Sequence, residues 1–170
     1  MTETLAPALP DELDRKAEEL MQRVCKAKLK LATAESCTGG LLASLLTDIE
    51  GCGHGFDRGF VTYEASAKQQ MLGLPEDLTG RNDAVTSSVA RAMAEGALQN
   101  SGADVALSVT GFAGPAGDGK EEGLVHLACA RRGKDTILRE EHFGPVGRGP
   151  IRIKAVGVLL EMLEQALEEV

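Results

Sequence analysis

Apolar residues recur at steps of three and four in several stretches of the chain, and this spacing predicts helices. The first stretch begins at Pro10-Asp11, where acidic residues suit a helix start. A later one is rich in alanine and glycine, so its face allows a neighbouring element to approach closely. The predicted helices cover 11–28, 41–49, 65–72, 85–101 and the residues after Pro150.

Short runs between these helices predict strands at 29–34, 60–63, 105–109, 124–130 and 136–143. The run 105–109 is apolar without alternation, as expected for a strand that is buried on both faces. The last two strands are joined by a short polar turn and must be antiparallel. Helices flank most strands, which predicts one α/β domain over 1–170, with a tail over 1–10. Its architecture is a three-layer α/β/α sandwich with a mixed, mostly parallel sheet.

Charge and composition exclude several classes of protein. The 18 Lys and Arg against 26 Asp and Glu give a net charge of −8, which argues against nucleic acid and anionic membranes as partners. We expect a cytoplasmic protein, because no secretory signal is present and no apolar run reaches the roughly 18 residues of a membrane span. The four cysteines and three histidines lack ligand spacing, so no metal or cofactor is predicted.

Two predicted strands run into glycine-rich turns, 36–40 and 110–119. Ligands of open α/β sheets bind beyond the carboxyl ends of the strands, so parallel neighbours would bring both turns to one hollow. The first turn precedes a helix, whose N-terminal amides and dipole suit a phosphate or an oxyanion. A serine there is also often only a helix cap. Neither turn matches a dinucleotide or Walker motif, so hydride transfer and nucleotide hydrolysis are not supported.

Lys68 lies five residues after Tyr63, in the first turns of a predicted helix. The positive helix end and partial burial both favour a neutral lysine, which can take a proton from a serine hydroxyl. The alternative is a surface lysine that pairs with Glu64 four residues earlier, and the spacing alone favours this alternative.

Three segments carry a specific pattern: 34–40 is AESCTGG, 56–63 is FDRGFVTY and 110–115 is TGFAGP. With these motifs the chain resembles the stand-alone form of the CinA C-terminal domain family over nearly its whole length. The resemblance implies a sandwich similar to anticodon-binding domains and self-association into a homo-oligomer. It also implies metal-free hydrolysis of the carboxamide of nicotinamide mononucleotide, a small nucleotide substrate, to the acid and ammonia.

The resemblance also implies site residues. Lys68 matches the family's lysine and serves as the base, with Tyr63 beside it, and an arginine, Arg148 or Arg152, holds the phosphate. Ser36 is one candidate nucleophile, and Cys52 is the other if its thiol pKa is lowered; Cys52 also fits a loop residue with no role. The predicted substrate-binding residues are Glu35, Thr38, Gly39, Gly40, Thr110, Gly111, Gly114, Arg148 and Arg152.

The chain departs from the family pattern at four places. Gly51-Cys52-Gly53 replaces Gly-Ser-Ser, and Ala65 replaces an asparagine. Glu121-Glu122 stands where Lys-Pro-Val is common, and 146–148 is Val-Gly-Arg in place of Gly-Asp-Arg. These changes leave two alternatives to the expected reaction. One is a catalytically silent paralogue that binds a nucleotide-like ligand or a protein partner, and the other is a hydrolase for a different amide.

Overall fold

The computed structural model describes residues 9–80 and 84–168. Six helices and five strands follow one another in this part of the chain, with a 3-10 turn over Gly53–Gly55 before the second strand. They are α1 (Asp11–Lys26), β1 (Leu31–Glu35), α2 (Leu41–Thr47), β2 (Phe56–Val61), α3 (Ala65–Leu72), α4 (Glu76–Thr79), α5 (Ser87–Gln99), β3 (Val105–Gly111), β4 (Leu124–Arg131), β5 (Ile137–His142) and α6 (Arg148–Glu168). Most of the predicted tail, residues 1–8, lies outside the described residues.

The five strands form one mixed sheet in the order β2-β1-β3-β4-β5. β1 runs parallel to both of its neighbours, whereas β3, β4 and β5 are successively antiparallel. Helices cover both faces, so the predicted three-layer α/β/α architecture is confirmed. Because β2, β1 and β3 are parallel, the turns that follow them all leave the sheet at the same edge.

The two faces of the sheet carry side chains of different size. One face presents leucines and valines such as Leu107 and Val109 to α1, α2 and α6. The other presents mainly alanines to α3 and α5. On α5, a Cβ at Gly96 would overlap the backbone carbonyl of Leu72 at the end of α3. Small residues therefore let α3 lie close to the sheet, as the composition of the 85–101 stretch predicts.

Most element boundaries lie within two residues of the sequence prediction, but the starts of β2 and α6 differ by more, and the short helix α4 was not predicted. β2 begins at Phe56, four residues before the predicted start, because its first half pairs with β1 at the sheet edge although Asp57-Arg58-Gly59 gives no apolar alternation. α6 begins at Arg148, before Pro150, because proline is tolerated in the first turn, where its missing N–H has no helical acceptor. No helix within the described residues is both long enough and apolar enough to cross a bilayer.

Candidate active site

A buried lysine lies at the carboxyl edge of the sheet. The side chain of Lys68 on α3 is 1% exposed, and its Nζ lies 2.8 Å from the Tyr63 carbonyl oxygen. The same atom is 2.9 Å from the carbonyl oxygen of Thr62 and 3.1 Å from Ser36 Oγ. The interpretation of Lys68 as a surface lysine is therefore wrong. The helix spacing to Glu64 is present, but packing against the sheet turns the amine inward.

Burial lowers the pKa of the Lys68 amine, while the neighbouring Cys37 and Glu64 side chains act in the opposite direction. A neutral amine has two N–H groups and one lone pair. The two N–H groups can donate to the carbonyl oxygens that follow β2, which leaves the lone pair to accept the Ser36 hydroxyl proton. This arrangement is that of a serine nucleophile with a lysine base.

The first glycine-rich turn is held together by a buried carboxylate. Glu35 is 1% exposed and accepts hydrogen bonds from Thr38 Oγ1 at 2.5 Å and from the amides of Leu42 at 3.1 Å and Ala43 at 2.8 Å. These amides are the N-terminal donors of α2, which the sequence offers to a phosphate or an oxyanion. That expectation is corrected, because the protein's own glutamate occupies the helix end.

Gly39 and Gly40 complete this turn with φ angles of +62° and +96°, a region that favours glycine. Together with Glu35 and Thr38 they shape the turn that presents Ser36, and none of the four is among the described residues that line the cavity below. Of the first motif, Ser36 and Cys37 reach the cavity. Burial raises the pKa of the Cys37 thiol to about 12, so this thiol is a poor nucleophile.

A cavity of about 490 Å³ lies between the two glycine-rich turns, as predicted for turns that follow parallel strands. Its volume is in the range of small-molecule sites. Its walls come from both turns, from the start of α3, from the α4 region and from the start of α6. They are Ser36, Cys37, Tyr63, Glu64, Ala65, Thr79, Gly80, Val85, Thr110, Gly111, Phe112, Ala113, Gly114, Pro115, Ala116 and Arg148.

The second turn forms its wall by close backbone packing. Thr110 is buried, and its Oγ1 donates to the carbonyl oxygen of Ala84 at 2.9 Å. A Cβ at Gly111 would lie 2.8 Å from the carbonyl oxygen of Leu124, so β4 passes too close for any side chain there. The hydroxyl of Thr110 thus has a partner within the protein, although the residue itself lines the cavity.

The structure separates the two candidate arginines. Arg148 lines the cavity, and its guanidinium lies so near Gly114 that a Cβ there would be 2.7 Å from Arg148 Nη2. Arg152 lies one turn further along α6, where its Nε donates to the carbonyl oxygen of Cys37 at 2.7 Å. Arg148 therefore faces the cavity, while Arg152 fastens the first turn to α6.

Cys52 lies at the other end of the sheet. It precedes β2, whereas Ser36 follows β1, so the length of β1, about 16 Å, separates the two ends. The side chain of Cys52 packs in the core, and its carbonyl oxygen accepts from Cys25 Sγ at 3.5 Å. The structure does not bring Cys52 to Lys68, so the Gly51-Cys52-Gly53 departure is also remote from the cavity.

Ten residues of the cavity wall are absent from the sequence-predicted site, and two of them are Glu64 and Ala65. Glu64 and Ala65 line the cavity directly after Tyr63, so the replacement at Ala65 does touch this site. The sequence feature that could have identified Glu64 and Ala65 as site residues is their position just after β2, beside the predicted Tyr63. The replacement at Glu121 has a different surrounding, since its Oε1 lies 2.7 Å from Nδ1 of His142 on β5.

Comparisons with known proteins agree with the motifs. The model of the CinA C-terminal domain matches residues 13–167. The nicotinamide-nucleotide amidohydrolase PncC of Escherichia coli K12 is 40% identical over 156 residues, which cover 91% of this chain and 94% of PncC. A CinA-like protein of Akkermansia muciniphila is 54% identical over 110 residues, 64% of this chain. The chain spans only about 25% to 40% of the length of this protein and of other CinA-like and putative competence-damage inducible relatives.

Solved structures show the same fold. The competence/damage inducible protein CihA from Agrobacterium tumefaciens has a TM-score of 0.89 and 42% identity, covering 94% of this chain and 98% of its own. A CinA superfamily protein from Escherichia coli has a TM-score of 0.84 and 35% identity, covering 91% and 90%. The chain therefore belongs to the CinA C-terminal domain family.

Proposed function

We propose that this protein is an amidohydrolase that converts nicotinamide mononucleotide to nicotinic acid mononucleotide and ammonia. The observation that carries the proposal is the 3.1 Å contact between Lys68 Nζ and the Oγ of Ser36, a residue that lines the cavity. The similarity to PncC, which covers nearly all of both chains, supports the choice of substrate.

The reaction follows from this pair of groups. The neutral Lys68 amine accepts the hydroxyl proton as Ser36 Oγ forms a bond to the carboxamide carbon. The resulting tetrahedral intermediate breaks its C–N bond, and Lys68 returns the proton to the leaving nitrogen, which departs as ammonia. Water then attacks the ester on Ser36 while Lys68 takes one of its protons, and that proton returns to Ser36 Oγ as the C–O bond breaks; the carboxylic acid product leaves and gives up its remaining proton to solvent. General-base assistance of this kind contributes about 10²- to 10⁴-fold.

Three neighbours supply the remaining roles in the proposal. Cys37 lines the cavity directly after the nucleophile, and a backbone N–H at that position commonly holds the oxyanion. Arg148 offers a guanidinium to the phosphate at the far wall. Tyr63 is 67% exposed at the same cavity, so its ring is available to a substrate.

The proposal is tested by incubating the purified protein with nicotinamide mononucleotide and measuring ammonia. We expect release by the wild type and a loss of about 10²-fold or more in Lys68→Met, because methionine fills the buried space without accepting a proton. Lys26→Ala removes an exposed lysine of α1, on the opposite face of the sheet, and is the matched control. Circular dichroism of each variant verifies that it is folded.

The silent-paralogue alternative gives a different result in the same experiment. A binding protein without catalysis would be stabilised against heat by the nucleotide, yet ammonia from wild type and Lys68→Met would be equal. That equality would refute the amidohydrolase proposal for this substrate. A hydrolase for another amide would release ammonia from that amide in a Lys68-dependent manner and none from the nucleotide.

We also expect a cytoplasmic protein that self-associates, as the sequence and the resemblance imply. Light scattering coupled to size-exclusion chromatography gives the mass in solution, and the mass of a single 17.9 kDa chain would contradict the expectation.

A further inference from the structure

The walls of the cavity carry charges of both signs at different places. Arg148 contributes a guanidinium from the start of α6, and Glu64 contributes a carboxylate from the residue before α3. Glu64 occupies the N-cap position of α3, but its side chain forms no capping hydrogen bond to that helix. The residue is exposed, and it lies in the cavity wall without capping α3.

Glu64 is close to the reacting groups. It stands between Tyr63, whose carbonyl oxygen accepts from Lys68 Nζ, and Ala65, the first residue of α3. Its charge acts on the Lys68 amine, where it favours the protonated form. A negative charge beside a general base favours its protonated form, so Glu64 does not assist Lys68 as a proton acceptor, and its place in the cavity wall suits contact with a substrate instead.

The neighbouring tyrosine indicates what that benefit is. Tyr63 offers a largely exposed aromatic ring at the same wall of the cavity, adjacent in the chain to the Glu64 carboxylate. An aromatic face and a carboxylate together attract a flat cation, through cation–π and charge–charge interactions. The pyridinium ring of nicotinamide mononucleotide is a flat cation, and the anionic phosphate of the same nucleotide would extend to Arg148.

We propose that Glu64 is a specificity residue that selects an amide on a positively charged aromatic ring over the same amide on an uncharged ring. This inference rests on the proposed function, since it concerns the substrate of the same cavity. It goes beyond that function because it assigns a preference of ring charge to one residue of this chain.

The test compares two ligands that share the carboxamide, ribose and phosphate and differ in ring charge. They are oxidised nicotinamide mononucleotide, which has a cationic pyridinium, and its reduced form, which has an uncharged dihydropyridine. Isothermal titration calorimetry in a Ser36→Ala background gives both dissociation constants without turnover. Glu64→Gln should weaken the oxidised ligand about tenfold and change the reduced ligand less than about twofold.

Two further variants isolate the charge. Glu64→Asp retains the carboxylate and should retain most of the preference for the cationic ring. Glu19→Gln removes another exposed carboxylate, from α1 in the opposite layer, and should leave both constants unchanged. Equal weakening of both ligands by Glu64→Gln, or no change in either, would overturn the proposal.

Ammonia release by the wild type, measured in parallel, separates this inference from the proposed function. Turnover without a Glu64-dependent difference between the two ligands refutes the specificity role alone. A Glu64-dependent difference without turnover supports the specificity role and refutes the amidohydrolase. Failure of both ligands to bind, together with no ammonia release by the wild type, refutes both.

Discussion

The two glycine-rich turns at the carboxyl edge of the sheet look alike in sequence but differ in structure. In the turn after β1, the Glu35 carboxylate takes up the donors of Thr38 and of the first turn of α2, and Arg152 fastens the Cys37 carbonyl. In the turn after β3, Thr110 donates one buried side-chain hydrogen bond, to Ala84, among the residues that the structure describes, and the glycines of this turn allow β4 and Arg148 to approach.

This difference shows that a glycine-rich turn before a helix is not by itself an anion site. The first turn uses its helix amides internally and so fixes the Ser36 hydroxyl beside Lys68. The second turn contributes much of the cavity wall, from Thr110 to Ala116. One turn thus positions the reacting group, while the other encloses the space for a ligand.

Removing the carboxylate of the first turn should have the largest effect. Glu35→Ala leaves two buried donors and one part-buried donor without their acceptor and should lower the free energy of unfolding by about 3 kcal/mol. Thr110→Val, in the second turn, removes one hydroxyl bond and should cost about 1 kcal/mol. Urea denaturation measures both free energies of unfolding. Equal losses of stability in the two variants would contradict the conclusion that the first turn depends more strongly on its internal hydrogen bonds than the second.

The pH dependence of ammonia release should follow the protonation of Lys68, the lysine beside Ser36 of the first turn. Burial disfavours the ammonium, so the pKa of folded Lys68 lies below the usual value for a lysine, and the neutral base becomes available as pH rises. Ammonia release should increase about tenfold per pH unit below that pKa and level off above it. Stability should also rise with pH between the folded and unfolded pKa values, because the unfolded chain holds the extra proton there.

A rate that falls as pH rises over this window would contradict the role of Lys68 as the base. Melting temperatures recorded at each pH verify that the profile follows catalysis and not unfolding.

The two arginines of α6 contact different turns, and their removal should therefore have different effects. Arg148→Ala removes the guanidinium that faces the cavity and should raise KM about five- to tenfold with little change in melting temperature. Arg152→Ala removes a bond to the first turn and should lower stability by about 1 kcal/mol. Steady-state kinetics and thermal melts are the measurements. A raised KM in Arg152→Ala with a loss of stability in Arg148→Ala would show that Arg152, not Arg148, binds the phosphate.

Cys52 should give the smallest effect on activity. Cys52→Ala alters a core position at the amino end of the sheet, so ammonia release should change less than about twofold while stability falls by about 1 kcal/mol. Alkylation of wild type and variant gives an independent measurement. Inactivation that depends on Cys52 and leaves the fold intact would contradict the placement of the site.

The sequence was informative wherever the chemistry is local. Helical spacing predicted α1, α2, α3 and α5, and the two glycine-rich runs located both turns. The same reasoning was misleading for Lys68, because four-residue spacing to Glu64 describes the helix alone, whereas burial depends on how closely α5 lets α3 approach the sheet. For Glu35, the sequence indicated a site residue but not that its carboxylate would be used by its own helix.

The amino-acid sequence by itself determined the layered α/β fold and the family, because hydrophobic periodicity and the AESCTGG motif are both short-range patterns. The tertiary structure decided which groups meet. Only the parallel pairing of β2, β1 and β3 brings Ser36, Lys68 and the second turn to one edge, and only the direction of β2 sends Cys52 to the opposite edge. Strand order and direction are long-range choices, made by packing across the whole sheet, and no local pattern contains them.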